Sequence, residues 1–512
     1  MKNKEDQDSW YKIKRYPHIG LPSENRRQTI SHIKNKDKVA VHGFAPFIHK
    51  VISTNRYRKE YDNDGKLISN GKRTDRSTKN RDIYYANNLD SNIYAYYSHL
   101  LNVKYEEILE DRNLTKVVTA YRKTPKKIEL NRAQNPPKKN NIYFADEVFE
   151  YIKKNIDYDS DIVAIAFDIE NFFPSLNHTV LKNKWCEVLD TDHLPKDHYN
   201  VFKNITRFSY VEENHLFNLF KDSILIRKND GKVTSKSIKR IEHLYNKNAI
   251  AYCKMQDIHT IRKKGLIRSS KRIGSTLVTD GICQGSAISA TLANIYMLSF
   301  DEAIYDETSK IDGLYRRYSD DMVVICPVEH KSHIIQFFEN KIKEIELNIH
   351  KKKTQVFHFS VHEGGIICKQ EFNGRITPNS INRNFEYLGF SFDGGYVRLK
   401  TSSLANYYRK MKKGVRRSGF YSSKINNETR GEIFRKRLYK RYSYIGAKRC
   451  IKYKRKRGTT DQWEPDKYAI NWGNYITYAK NAHKIMNSYS KIDSQIKNHW
   501  KNIHKEIEKS KR

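Results

Sequence analysis

An apolar run that terminates in a carboxylate constrains this chain more than any other feature. Residues 162–167 read IVAIAF, without the alternation of a half-exposed strand, and the next residue is Asp168. Such a run is expected of a strand covered on both faces. A covered strand rarely ends in an ionisable group, because burying charge is costly. A second acidic feature, Asp320-Asp321, sits between two more apolar segments, residues 313–318 and 322–326, in the tight turn of an expected hairpin. Adjacent like charges there repel unless a cation compensates. Carboxylates without His or Cys partners suit Mg²⁺, which binds through one or two of them plus substrate phosphates. Two such ions serve an in-line phosphoryl displacement. Taken alone, an Asp-Asp turn is ordinary polar turn chemistry; Asp168 and the charge of the whole chain give it meaning.

That charge is large. The 512 residues hold 96 Lys+Arg against 58 Asp+Glu, a formal net charge of +38. Residues 401–512 alone contain 30 basic and 8 acidic residues, with tyrosines interleaved throughout. Cations neutralise phosphates and release counterions, and aromatic faces stack on bases, so the expected partner is nucleic acid. Aromatic residues make up 12% of the chain, which excludes wholesale disorder. No apolar run approaches the ~18 residues of a membrane span, and residues 1–8 lack the apolar segment of a secretory signal. Six scattered cysteines form no CxxC pair. The reading is a cytoplasmic, reduced protein with no membrane partner.

The length allows about three or four domain-sized units. Residues 1–80 read as a polar N-terminal extension, and 81–160 as a mostly helical region with a helix starting at Asp90 and a β-rich stretch at 116–122. Residues 161–390 carry the apolar strands and enclose a lysine-rich insertion over 221–275. Single helices are expected over 286–305 and 331–347, a strand over 355–359 and β structure over 386–399. Residues 391–512 read as helical and basic.

Five segments in this order resemble the motifs of reverse transcriptases. Tyr318-Ser319-Asp320-Asp321 is similar to their Tyr-x-Asp-Asp box. Residues 166–175 (AFDIENFFPS) resemble the first catalytic motif, and residues 281–294 (GICQGSAISATLAN) the Gln-Gly box. Residues 348–354 (NIHKKKT) resemble the Lys-Thr segment, and residues 387–390 (YLGF) the primer grip. The resemblance covers about residues 80–415. It implies an α+β right-hand polymerase with fingers, a palm of antiparallel sheet and helices, and a helical, basic thumb and C-terminal extension. It further implies that Asp168, Asp320 and Asp321, with the Ile169 carbonyl, hold two Mg²⁺ ions, Mn²⁺ being the alternative. Phe173 would exclude a 2′-hydroxyl and select dNTPs. Gln284 and Gly285 would lie along the template–nucleotide pair, where a missing side chain lets backbone approach. Arg122 and Lys123 would clamp the triphosphate. Lys353, with Lys351 and Lys352 as rivals, would protonate the leaving pyrophosphate. Tyr387, Leu388 and Gly389 would grip the primer. Glu170, beside Asp168, is either a supporting residue or simply solvated.

Within the family, residues 16–22 (YPHIGLP), 81–97 and the AYRK and RRYSDD runs most resemble the bacterial defence-associated, antiphage enzymes. No paired-Cys endonuclease region of the group II intron type is evident, and no Val-Thr-Gly triplet of the retron type. The expected partners are a structured non-coding RNA, the DNA product and dNTPs; some relatives prime on a protein hydroxyl, and a homo-oligomer is allowed. The competing reading is a maturase-like RNA-binding scaffold with incidental polymerase activity, or a retron or group II intron-type enzyme.

Overall fold

The structure is a computed structural model. It describes residues 8–511 except 59–61, 63–65, 67, 69–74, 123–138, 158–159, 229, 271, 274–275, 351–352, 381–382, 425–430, 448–449, 456–461 and 472. At its centre lies an antiparallel sheet of five strands in the order Leu314–Tyr318, Asp321–Pro327, Ile162–Asp168, Gln355–His362, Gly365–Gln370. Val163, Ile165 and Phe167 face one core, with Met322, Val324 and Cys326 beside them. Ile162 and Ala164 face another, with Val323 and Ile325. Two covered faces account for the unbroken apolar sequence of the central strands. Helices Asn88–Asp111, His178–Leu189, Ser289–Tyr296, Leu298–Ser309 and Lys331–Glu344 supply buried residues to the first core. Helix Asn141–Asn155 and a three-stranded sheet of Phe385–Tyr387, Phe390–Phe392 and Val397–Leu399 cover the second.

Several expectations needed correction. The boundary at residue 80 falls inside strand Asp75–Tyr85, which pairs along its whole length with Phe47–Arg58 to form a long antiparallel ribbon. The base of that ribbon joins Ser209–Glu212 and Arg268–Ser269 in a four-stranded sheet, so the N-terminal segment builds the same layer as the residues after it. The described residues of the insertion over 221–275 form a folded unit. Strands Ile224–Arg227, Val233–Lys236 and Ala249–Cys253 form a sheet that His18–Ile19 completes in parallel, over a core of its own. The first long helix is capped by the Asn87 side chain, which accepts from Asp90 N–H; the Asp90 carboxylate instead accepts from Ala45 N–H and pairs with His42. The helix expected over 286–305 is two helices interrupted at Met297.

The C-terminal region is mainly helical, yet it includes a hairpin of Cys450–Arg455 and Trp463–Asn471. Its long helix, Thr401–Ser422, buries Tyr407, Met411, Val415, Gly419 and Ser422, one stripe at helical spacing. Against that stripe pack Ile433, Leu438, Ile503 and Ile507. Among the described residues no helix is long and apolar enough to cross a membrane.

Candidate active site

Register alone brings the carboxylates together. Leu314–Tyr318 and Asp321–Pro327 form a hairpin in which Tyr318 pairs with Asp321, leaving Ser319 and Asp320 as its two-residue turn. On its other edge the second strand pairs with Ile162–Asp168, setting Asp321 opposite Asp168. Residues far apart in sequence thus meet at one end of the central sheet. Asp321 is exposed to solvent, yet the protein around it desolvates its carboxylate. Its carboxyl is pushed up to about 6, first by desolvation and then by the charges of Asp320 and Asp168. Lys400 and Lys79 pull in the opposite direction. The Lys353 ammonium pairs with Asp168 Oδ2. Glu170 is exposed, and its backbone N–H donates to Asn348 O at 2.9 Å.

These groups fit a divalent cation. The carboxylates repel one another, and lysines from three separate segments already lean on them. Among the described residues no three acidic, His or Cys side chains form a ready-made cage. Ile169 pairs with Ile349 through the flanking bonds His350 N–H to Asp168 O (2.8 Å) and Glu170 N–H to Asn348 O. Its own carbonyl is not consumed by that bridge and remains available as a ligand.

The turn is held in a conformation that costs energy. Ser319 has φ +63°, a region a non-glycine residue enters only with support. Support comes from Arg317, fully buried and paired with the equally buried Asp301. Its Nε donates to Asp301 Oδ1 at 2.7 Å and its Nη2 to Oδ2 at 2.6 Å. Nη1 reaches Asn294 Oδ1 at 3.1 Å and Ser319 O at 3.4 Å. Asn294 Nδ2 in turn donates to Ala120 O, while the Tyr121 hydroxyl lies 3.2 Å from Ser319 Oγ. Sequence reasoning missed this network. The signals were Arg317 immediately before the box and Asp301 on an apolar helix face, where a carboxylate needs a buried partner.

The other expected residues divide. Phe173 is half-buried, its carbonyl accepting from Ile282 N–H at 3.0 Å, which holds the ring's backbone beside the loop of Gln284 and Gly285. That loop touches the ribbon: Tyr84 N–H donates to Gln284 O at 2.8 Å. The reason for glycine at 285 is therefore protein backbone. Its φ is +116°, and a Cβ would lie 2.7 Å from Tyr84 O. Gly285→Ala is expected to separate loop from ribbon and lower kcat/KM for the incoming nucleotide about tenfold or more, for ~1–3 kcal/mol of backbone strain. Steady-state kinetics with varied dNTP would check this.

Arg122 is not free to clamp a triphosphate. Its guanidinium donates to both Glu106 oxygens, at 2.9 and 2.5 Å, and to the carbonyls of Thr115 and Val118. Arginine satisfied in this way braces the segment that runs beside Arg317. Lys123, with Lys351 and Lys352, lies outside the described residues. Lys79 on the ribbon acts on Asp321 and was not anticipated, because the ribbon's reach cannot be read from its own sequence. In the primer-grip segment, Tyr387 is 5% exposed and faces the core. Leu388 (φ +46°) and Gly389 (φ +93°) form the two-residue turn, and Asn141 Nδ2 donates to Leu388 O at 3.1 Å. The surface of this turn therefore belongs to Leu388 and Gly389, with Tyr387 as their anchor.

A family model described as "Reverse transcriptase (RNA-dependent DNA polymerase)" matches residues 222–392. The match includes Gln284, Gly285, Asp320, Asp321, Lys353 and the 387–389 turn; Asp168 and Phe173 lie before it, the first joined to it by the sheet register and the second by the bond from Ile282 N–H. Among solved structures, apo telomerase from Candida tropicalis is similar at 11% identity and a TM-score of 0.37, over 78% of this chain and 53% of that one. Telomerase from Candida albicans, in complex with a TWJ fragment of telomeric RNA, is similar at 11% identity and a TM-score of 0.34, over 96% and 63%. The chain thus spans roughly half to under two thirds of the length of these structures. No curated protein matches it in sequence. Residues 222–392 thus match a reverse transcriptase domain, and they contribute Asp320 and Asp321 to the end of the central sheet where Asp168 meets them.

Proposed function

We propose that this protein synthesises DNA from dNTPs on an RNA template, with two Mg²⁺ ions held by Asp168, Asp320, Asp321 and the Ile169 carbonyl. The observation that carries the reading is the pairing of Asp168 with Asp321 beside Asp320, at a point where their charges conflict and call for a cation. Bound there, the ions would favour ionisation of the primer 3′-hydroxyl and neutralise charge on the departing pyrophosphate. The chain's own residues do the rest. Lys353 pairs with Asp168 and would pass its ammonium to the triphosphate once metal ions take over the carboxylate. Lys79 and Lys400 bring positive charge from the ribbon and from the segment after the grip. Phe173 closes the floor under the sugar, and Leu388 and Gly389 present backbone to the primer terminus. The sequence motifs support a place in bacterial phage defence, with a structured non-coding RNA as template or scaffold.

The sugar gate tests the DNA part of this reading. Phe173→Val is expected to lower the preference for dNTP over NTP at least tenfold, measured as the ratio of kcat/KM values. Wild type that already accepts both, or a variant with an unchanged ratio, would remove Phe173 from that role.

A further inference from the structure

The unit formed by residues 221–275 carries 15 basic and 4 acidic residues, a bias that the catalytic sheet does not need. Two of these cations, Lys239 and Arg240, line a groove. Helix Glu213–Phe220 presents Asn214 and Asn218 four residues apart, with Phe217 between them, and faces the turn entering Ile241–His243. The groove has a volume of about 580 Å³, with Phe217 and Ile241 among its lining residues and Lys239 and Arg240 beside them. The turn is anchored from beneath. Ile238 and Leu244 are buried, and Ile238 N–H donates to Lys221 O at 2.7 Å. Two residues beyond the groove, Tyr245 stands 82% exposed, with Lys247 on the same short helical turn. Among the described residues no carboxylate forms an ion pair with Lys239, Arg240 or Lys247. Glu242 shares the groove lining, as does His243.

We infer that this groove is a second RNA-binding site, which takes a single-stranded segment of the same RNA outside the polymerase cleft. The inference rests on the reading that the chain works on RNA. Lys239, Arg240 and Lys247 supply cations for phosphates, and the exposed Tyr245 ring supplies a face on which a base stacks whatever its identity. Asn214, Asn218 and His243 offer donors and acceptors to base edges, and the Glu242 carboxylate accepts from base N–H groups or ribose hydroxyls. An acidic polypeptide would satisfy the cations and, through its backbone, the amides, but its carboxylates give the exposed tyrosine face nothing to stack on. Single-stranded RNA satisfies all three.

The test uses the full chain with its cleft filled by a short RNA–DNA hybrid, then bound to an unstructured RNA carrying 5-iodouridine and irradiated. The expected adduct maps to Tyr245. Tyr245→Ala is expected to weaken RNA binding about tenfold without changing its salt dependence. Lys239→Ala with Arg240→Ala is expected to lower the slope of log K against log salt by about 1.4, from ~0.7 per phosphate contact on a single strand. Extension of the short hybrid should stay at the wild-type rate in both variants. Adducts that avoid Tyr245, variants with wild-type affinity and slope, or displacement by polyglutamate as readily as by RNA would overturn the inference. Hybrid extension in the same samples separates this failure from failure of the polymerase reading, since that reading falls only if wild type cannot extend the hybrid.

Discussion

Asp321→Asn is expected to abolish DNA synthesis, by a thousandfold or more, while making the protein more stable at neutral pH. The two effects share one cause. The folded protein holds this carboxyl at about 6, against an ordinary value of 3.8, so folding disfavours the charged form that function requires. Above pH 6 the carboxylate is ionised in both states, and the folded state carries the whole penalty. As pH falls from 6 towards 3.8 the folded state takes up its proton first, and the penalty fades. Asparagine keeps the shape and removes the charge. The thermal midpoint of the variant should therefore exceed that of wild type at pH 7.5, by a margin that narrows at pH 5. Calorimetry at the two pH values, beside a primer-extension assay, would check both halves. A variant less stable than wild type at pH 7.5 would mean that the three carboxylates are not in electrostatic conflict.

Arg317→Met is expected to cost roughly 3–5 kcal/mol of stability, because it leaves the Asp301 carboxylate buried with no cation. Burial already pushes that carboxyl upward, and the guanidinium is what offsets the push. An informative companion is the double variant Arg317→Met/Asp301→Leu. Replacing a whole buried ion pair by apolar groups of similar volume is often neutral or stabilising, so most of the lost stability should return. Activity should not. Ser319 O and Asn294 Oδ1 would still lack the guanidinium that steadies the strained turn. The expected signature is a restored denaturation midpoint with kcat still down at least tenfold and the KM for template–primer little changed. Full recovery of kcat in the double variant would show that the pair serves folding alone.

How far the sequence revealed this arrangement depends on where each determinant lies. Strand Ile162–Asp168 was legible because burial on both faces leaves an unbroken apolar run, and Asp168 because it ends that run. The Asp320-Asp321 hairpin was legible from its flanking apolar segments. Arg122 misled, because a cation in a basic stretch looks solvated until its partner is known, and Glu106 sits on a neighbouring helix that local pattern does not link to it. The same limit hid Lys79, whose role depends on how far a ribbon extends from a sheet assembled from four distant segments. Gly285 was identified as a site of close approach, but the approaching group proved to be Tyr84. The hairpin in the C-terminal region escaped because its first strand (CIKYKR) is half lysine and arginine and its second (WEPDKYAIN) holds Glu, Pro and Asp, residues that do not mark strands.

The account stands or falls on metal-dependent DNA synthesis from an RNA template. The direct measurement supplies the purified protein with an RNA template, a DNA primer, Mg²⁺ and labelled dNTPs, and runs Asp168→Asn beside it. The account predicts complementary DNA from wild type that chelation of the metal stops, and none from the variant. The same product from both proteins, or RNA binding in wild type with no synthesis at all, would contradict it.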